Sequence, residues 1–523
     1  MAAPEPYPRW IGTSRPRALQ NPFSLATIVK RLPPVGSHAS WNRTRRKPCE
    51  SAGALSRVAA SDPAAAASMK RRERAYLVTA SLLSVGFGKV NRSVLLFQLV
   101  SDFIHQLIKL DHTSQTGDAQ ATESKASEKE SLEAVMTEHA SDIFDPAHYK
   151  KVRLPLEEAE TLPPWAYTSE AFYRREVETI FTRSWYAVGR IERVPEPGDY
   201  FSVDVTGIPI IIVRGVDGTL RALSNSCRHR GAKMLEGSGN TRSFRCRYHS
   251  WTYDTAGCLR GAGGMEKVKG FELADYGLPE IRLETWGGFV FVNFNREAVG
   301  LREWLGDLDE RVASYGLADL RCTRTIERIV ACNWKVYMEN AMEEYHLPTI
   351  HRATISKLKM KHREEGGKGQ YCVIVEEHEG TRAVLPGETG FPFIPTLTGA
   401  AAKGTHYVQI YPNLNFAATK DCVFFLEIHP LGVDRTRLTL TSMFPQSTIA
   451  RSDFAEVVER YYRRLDKSAP EDFVIAEVQQ RGLSSPLARA GRLSLQEPLV
   501  HHIANWVLDR VIGPAPHAVR AVA

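Results

Sequence analysis

Cys227-Arg-His229 and Cys246-Arg-Tyr-His249 are the two stretches that decide how this chain folds. Each offers one thiol and one imidazole, and sixteen residues separate them. A [2Fe–2S] cluster that binds two thiolates on one iron and two imidazoles on the other needs this donor set. A Cys₂His₂ zinc site is the alternative, but such sites usually pair two cysteines in one motif and two histidines in the other. The sequence therefore predicts an iron–sulfur cluster with the ligands Cys227, His229, Cys246 and His249.

The residues around both motifs resemble the cluster-binding loops of Rieske non-haem iron oxygenases. The resemblance is carried by Asn225-Ser-Cys-Arg-His-Arg-Gly-Ala232 and Cys246-Arg-Tyr-His-Ser-Trp-Thr-Tyr-Asp254, within a region from about Trp165 to Trp506. Rieske proteins of respiratory complexes add a disulfide cysteine to each loop, and the first loop has none here. The resemblance implies the α subunit of such an oxygenase. Its expected fold is α+β, an all-β Rieske domain followed by a helix-covered antiparallel-sheet catalytic domain that binds mononuclear iron.

A second set of candidate ligands lies in Cys332-Asn-Trp-Lys-Val-Tyr-Met-Glu-Asn-Ala-Met-Glu-Glu-Tyr-His-Leu-Pro-Thr-Ile-His351. Its composition predicts a helix over residues 333–346 that Pro348 ends. Glu339, Glu343 and His346 would then share one helical face. His351 would lie beyond the helix, on a loop that turns back to the same metal.

Two imidazoles and one carboxylate are the donor set of mononuclear non-haem Fe(II) oxygenases. His346 and His351 supply the imidazoles, and the resemblance implies that Asp472, in Pro470-Glu-Asp-Phe, supplies the carboxylate. Glu471 is the fallback, because chemistry alone does not rank adjacent carboxylates. An acidic residue that caps or begins a helix is the structural alternative for Asp472.

Glu343 stands where the family usually has an Asp that links the cluster of one subunit to the iron of its neighbour. Carboxylates of this kind orient metal-bound imidazoles by hydrogen bonds. Glu344 is the alternative, although in the predicted helix it points about 100° away from Glu343. A Glu at this position is more typical of relatives that act on quaternary ammonium compounds than of ring dioxygenases.

The chain divides by composition into an N-terminal extension and a core. We expect an extension at 1–140, a lead-in at 141–183, the Rieske domain at 184–297 and the catalytic domain at 298–515. Trp165 to Arg183 is predicted as a helix with Ser169 as a possible N-cap. Strands are predicted near 200–205, 208–214 and 288–293 in the first domain, and near 407–411, 414–417, 422–429 and 437–444 in the second. Two helices, over 451–480 and 494–512, are predicted to cover the second sheet.

The extension has the character of a targeting segment. Residues 1–70 hold eleven Lys or Arg and three Asp or Glu, a balance typical of mitochondrial or plastid transit peptides. The apolar segment at 76–108 is interrupted by Lys89 and Arg92, so neither half is long enough to span a bilayer. We expect import into a chloroplast or mitochondrion; a cytoplasmic location, or a membrane contact through an amphipathic anchor, is the alternative.

Charge and cysteine usage exclude other classes. The net charge is +7, but much of the excess lies in the extension, and no basic stripe with interleaved aromatic residues indicates nucleic-acid binding. The six cysteines outside the cluster show no paired spacing, as in a reducing compartment. Cys332 and Cys422 are predicted to be buried free thiols.

The resemblance implies an oxygenase component that binds a small-molecule substrate and O₂. Electrons would come from NAD(P)H through a separate ferredoxin or flavin reductase, since no Gly-x-Gly-x-x-Gly follows a strand here. Glu343 would pass them from the cluster to the mononuclear Fe(II), where O₂ is activated. The subunits would form a homotrimer whose head-to-tail packing brings one cluster near the next iron.

The substrate is left open by the sequence. Aromatic side chains near the second motif could cage a trimethylammonium group by cation–π contacts or form a slot for an aromatic ring. The residues in question are Tyr337, Tyr345, Phe391, Phe393, Tyr407, Tyr411 and Phe416. Glu343 and the extension favour a choline-monooxygenase-like enzyme. The alternatives are an aromatic-ring-hydroxylating dioxygenase and a Rieske electron-transfer protein without oxygenase activity.

Overall fold

The computed structural model describes residues 142–355 and 360–514. The predicted extension, including the apolar segment at 76–108, lies outside these residues. Within them, no helix combines the length and the apolar character that a membrane crossing requires.

The lead-in to the core is helical but is broken at Ser169. Helix α1 is Trp165–Thr168, α2 is Glu170–Glu176, and a π-helical turn follows at Val177–Phe181. The Ser169 hydroxyl accepts a hydrogen bond from the N–H of Phe172 at 3.3 Å. Ser169 therefore caps α2, as the sequence suggested, and divides the predicted single helix in two.

An all-β domain follows, built from ten antiparallel strands among the described residues. They are β1 Tyr186–Arg190, β2 Asp199–Val205, β3 Ile208–Arg214, β4 Leu220–Ser224, β5 Ser238–Asn240, β6 Ser243–Arg245, β7 Thr252–Asp254, β8 Leu259–Gly261, β9 Glu280–Trp286 and β10 Phe289–Asn293. One sheet has the order β1-β10-β9-β4-β3-β2-β5, and a small sheet has the order β6-β7-β8. The apolar run 210–213 is fully buried in β3, as expected for a strand covered on both faces.

The catalytic domain is a second antiparallel sheet with helices around it. Its elements are α3 Leu301–Leu305, α4 Leu308–Val312, β11 Leu320–Val330, α5 Trp334–Asn340, α6 Leu347–Ile350, β12 Met360–Gly366, β13 Tyr371–His378, β14 Gly404–Ile410, β15 Leu414–Ala418, β16 Val423–Gly432, β17 Arg435–Pro445, α7 Gln446–Ile449, α8 Phe454–Leu483 and α9 Pro498–Val511. The strand order is β11-β17-β16-β15-β14-β13-β12. The predicted α+β fold class, with an all-β domain before a helix-covered sheet, is confirmed.

Helix α5 is anchored against the lead-in by buried side chains. Asn333 caps it by accepting from the N–H of Lys335 at 3.0 Å. Trp334 is fully buried and meets Phe181 edge to face, with 5.0 Å between the ring centroids. Lys335 is also fully buried, and its Nζ lies 2.6 Å from Oε1 of Glu176 in α2. The ion pair and the aromatic contact fix α5 against the lead-in.

The predicted helix over 333–346 is wrong in its second half. It ends at Asn340, and a separate short helix, α6, begins at Leu347 with Pro348 in its first turn, where proline's missing N–H costs nothing. Glu343 and His346 therefore lie on the connecting turn, and the 100° argument against Glu344 does not apply. Glu339 does not share their face: it is buried, accepts from the Tyr167 hydroxyl at 2.9 Å, and burial raises its pKa to about 8.

Candidate metal centres

The two cluster motifs lie on matching turns, one between β4 and β5 and the other between β6 and β7. In both, the cysteine N–H donates to the carbonyl five residues later, and its own carbonyl accepts from the N–H four residues later, over 2.8–3.0 Å. Four residues after each cysteine the backbone takes a positive φ, 73° at Gly231 and 60° at Ser250. These turns bring both Cys-His pairs to one end of the domain.

The thiols are buried and the imidazoles lie nearer to solvent. Cys227 and Cys246 are each 3% exposed, whereas His229 is half-buried and His249 is exposed. The two imidazole centroids are 4.6 Å apart. The Tyr253 hydroxyl lies 3.4 Å from Cys227 Sγ, and hydrogen bonds to sulfur are one means by which a protein tunes a cluster's potential. Two thiols and two imidazoles at one place fit a [2Fe–2S] cluster whose histidine side lies nearer to solvent.

His346, His351 and Asp472 converge in the catalytic domain. Nε2 of His351 lies 2.9 Å from Oδ1 of Asp472, and Nε2 of His346 lies 3.6 Å from the same oxygen. One ligand atom from each of the three residues lies within 4.8 Å of the other two. Two imidazole nitrogens and one carboxylate oxygen directed at one point form the donor set of a mononuclear iron site.

A second carboxylate contacts the far nitrogen of each imidazole. Glu343 Oε1 makes a short contact with Nδ1 of His346, and its Oε2 accepts from the His346 N–H at 3.1 Å. Glu471 Oε2 lies 2.7 Å from Nδ1 of His351 and accepts from the Thr354 hydroxyl at 2.6 Å. A carboxylate at Nδ1 holds the proton there and leaves Nε2 free for a metal. Glu471, the fallback ligand in the sequence, is thus directed at the opposite side of His351 from Asp472.

Helix α8 positions the carboxylates. Asp472 lies well inside this 30-residue helix, which continues through Pro470, so it neither caps nor begins a helix. Arg464, Ser468 and Asp472 are spaced four residues apart and line one cavity, because residues at this spacing share a helix face. The same spacing in the sequence is the signal that could have indicated Arg464 as a site residue.

His351 is electrostatically unlike a solvent-exposed histidine. Burial by itself lowers its pKa, but hydrogen bonds and negative charge from Asp472 and Glu471 outweigh burial and raise the pKa above its ordinary value. A dipositive ion at Nε2 would compensate the same negative charge and displace the proton. The surroundings of His351 therefore fit a bound cation.

A cavity of about 170 Å³ opens beside the three convergent residues. Two residues of the predicted aromatic cage, Tyr337 and Tyr407, line this cavity. Phe424 and Phe425, which were not among the predicted residues, line it as well. The other predicted aromatic residues are not in its lining: Tyr345 and Phe393 are largely exposed, and Phe391, Tyr411 and Phe416 are buried in packed core elsewhere. The seven-residue cage is therefore wrong as a set. The cavity is lined by four aromatic residues, by aliphatic side chains and by three acids, Glu343, Glu344 and Asp472.

Comparison with known proteins identifies both domains. Residues 184–272 match the family model of the Rieske [2Fe-2S] domain, and residues 310–513 match that of the ring hydroxylating alpha subunit catalytic domain. The chloroplastic choline monooxygenase of Spinacia oleracea is 28% identical over 385 residues, which cover 72% of this chain and 84% of that protein. The carnitine monooxygenase oxygenase subunit of Acinetobacter pittii is 28% identical over 331 residues, which cover 62% of this chain and 86% of that protein.

Solved structures give the same assignment. The crystal structure of the quaternary ammonium Rieske monooxygenase CntA in complex with L-carnitine superposes with a TM-score of 0.57 at 25% identity, covering 67% of this chain and 96% of that one. Enzymes of this family combine a Rieske cluster with a mononuclear iron and take electrons from NAD(P)H through a separate reductase. The chain belongs to the Rieske non-haem iron oxygenases, a family of oxidoreductases, and it is the α subunit of such an enzyme.

Proposed function

We propose that this oxygenase oxidises a quaternary ammonium compound, of the kind that choline and carnitine represent. The observation that carries the proposal is the wall of the cavity beside His346, His351 and Asp472. Its aromatic faces attract a cation through their quadrupoles, and the carboxylates of Glu343 and Glu344 lie in the same wall. The choline and carnitine monooxygenases among the relatives support the same substrate class.

The roles of the metal-site residues are part of the proposal. Cys227, His229, Cys246 and His249 would hold the [2Fe–2S] cluster, and His346, His351 and Asp472 the mononuclear iron. When bound, these groups supply single electrons and the activation of O₂. In the balanced reaction, one oxygen atom enters a substrate C–H bond and the other leaves as water, with two electrons from the reductase and two protons. The protein's own part is to orient both imidazoles through Glu343 and Glu471 and to hold the ammonium group against the aromatic wall.

A single-turnover experiment tests the substrate class. The iron-loaded protein is reduced chemically, freed of reductant and exposed to O₂ with a mixture of choline, glycine betaine, carnitine, aromatic acids and aromatic hydrocarbons. Mass spectrometry should detect an oxidised or demethylated ammonium product, in an amount that approaches one per iron site. A hydroxylated aromatic product with no ammonium product would contradict the proposal and favour a ring-hydroxylating dioxygenase.

We further propose that the subunits form a homotrimer in which Glu343 connects one subunit's cluster to the neighbouring iron site. Glu343→Ala should then slow the O₂- and substrate-dependent reoxidation of the reduced cluster by about 10- to 100-fold, because the His346 imidazole loses its partner at Nδ1. Glu343→Gln, which keeps an oxygen acceptor, should be affected less. Stopped-flow absorbance measures the rate, and light scattering measures the mass. An unchanged rate in Glu343→Ala, or full turnover by a monomer, would contradict this arrangement.

We also propose import into an organelle. The basic, acid-poor composition of residues 1–70 supports it, and the spinach relative is named as chloroplastic. A fluorescent reporter fused after residue 140 should enter chloroplasts or mitochondria; a reporter that stays in the cytosol would contradict import.

A further inference from the structure

Arg464 differs from the other arginines of helix α8. Arg460 and Arg463 lie toward the surface and pair with Glu456 and Glu388, respectively, the latter at 2.6 Å. Arg464 lines the cavity, two helical turns before Asp472. In the part of the chain that the structure describes, its guanidinium makes no hydrogen bond or ion pair, and its Nε is enclosed without an acceptor.

The Arg464 side chain is half-buried, and of its three guanidinium nitrogens only Nε is enclosed without an acceptor. Arginine remains protonated in proteins, so its charge needs either solvent or an anion. Arg382, which lies next to the cavity-lining Glu344, has anions already: it contacts Glu376 closely and lies 3.6 Å from Glu344. Asp472 is the acid two turns from Arg464, and it is directed at His346 and His351. The cavity therefore offers one cation that these acids do not pair.

We infer that the substrate carries a carboxylate as well as a quaternary ammonium group, and that Arg464 binds this carboxylate. The inference rests on the proposed function and narrows it from ammonium compounds in general to zwitterions. A planar guanidinium matches a carboxylate with two parallel hydrogen bonds. The aromatic wall receives the ammonium end by cation–π attraction, so both charges of one ligand have a counterpart. Choline, which has a hydroxyl in place of the carboxylate, leaves Arg464 unpaired and is the poorer ligand.

Binding to the unmodified protein gives the first test. Calorimetry under anaerobic conditions, with the iron-loaded protein, compares choline with glycine betaine, γ-butyrobetaine and carnitine. The best zwitterion should bind at least roughly 30-fold more tightly than choline, since loss of one partner of an enclosed charge pair has effects of this size or larger.

Variants on one helix assign the preference to Arg464. Arg464→Gln should remove the preference and bring the best zwitterion to the affinity of choline. Arg464→Lys, which keeps the positive charge but cannot form two parallel hydrogen bonds, should retain part of the preference for zwitterions. Arg463→Gln is the matched control, because it removes an arginine one residue away that faces Glu388. This variant should keep the same preference for zwitterions over choline as the unmodified protein. Cluster absorbance and circular dichroism of each variant report whether it is folded.

Two results would overturn the inference, and they can be told apart. If choline binds as tightly as every zwitterion, or if Arg464→Gln weakens both classes equally, Arg464 does not recognise a carboxylate while the ammonium proposal stands. If no ammonium compound binds to the unmodified protein, the proposed function falls and the inference falls with it.

Discussion

His351→Ala is expected to abolish turnover and leave the absorption spectrum of the cluster unchanged. The imidazole contributes one of the three convergent ligand atoms, and it lies in a different domain from the cysteine motifs. Loss of a group that only orients a metal ligand costs about 10- to 100-fold in affinity or activity, so loss of the ligand itself should cost more. Iron content should fall from about three to about two atoms per chain, the cluster retaining its pair. Metal analysis and a substrate-dependent O₂ uptake assay measure both effects.

Two further variants control for this result. His501→Ala removes an imidazole from α9 whose Nε2 contacts the Val152 carbonyl at 2.9 Å, and it should keep both iron and activity. Cys227→Ser should show the converse defect, losing the cluster spectrum. If the subunits form the proposed ring, mixing His351→Ala and Cys227→Ser subunits should restore part of the activity. Full activity of His351→Ala alone would show that the iron ligands are assigned wrongly.

Local sequence patterns predicted the features that depend on neighbours in the chain. Each Cys-His pair lies within one turn, so its spacing predicts the donor set directly. Glu343 and His346 are three residues apart and meet even though the helix expected to align them is absent. Their contact needs only a short turn, in which the Glu343 carboxylate also accepts from the His346 backbone.

Contacts between distant elements could not be predicted in the same way. Glu471 meets His351 across 120 residues, and which of two adjacent acids points at which imidazole nitrogen is fixed by how α8 packs. Strand β11, Leu320–Val330, went unpredicted because exposed or half-exposed Arg, Thr and Glu occupy most of it. The aromatic cage failed for a related reason: the sequence shows that Phe391 or Phe416 is aromatic, but not which side of its element faces the cavity.

The buried pair Lys335–Glu176 gives the largest expected effect on stability. Both side chains are fully buried, and Glu176 also accepts from Trp334 Nε1 at 3.0 Å. Lys335→Met removes the cation and leaves an uncompensated acid, which should lower the free energy of unfolding by about 3–5 kcal/mol. Lys151→Met is the matched control, since Lys151 forms an exposed pair with Glu160. This substitution should lower the free energy of unfolding by no more than about 1 kcal/mol.

The defect in Lys335→Met should depend on pH in a definite direction. Burial raises the pKa of Glu176 above 4.5, and attraction to Lys335 opposes that rise, so removing the lysine raises the pKa further. An acid whose pKa is higher in the folded than in the unfolded state does not destabilise the fold at a pH below its unfolded pKa. The loss of free energy of unfolding grows as the pH rises through and above that value. Urea unfolding followed by circular dichroism should therefore give a larger defect at pH 8 than at pH 5. Adding Glu176→Gln, whose carbonyl still accepts from Trp334, should recover most of the loss and remove the pH dependence. A defect that is equal at both pH values would mean that lost packing of the lysine stem, and not the stranded carboxylate, destabilises the variant.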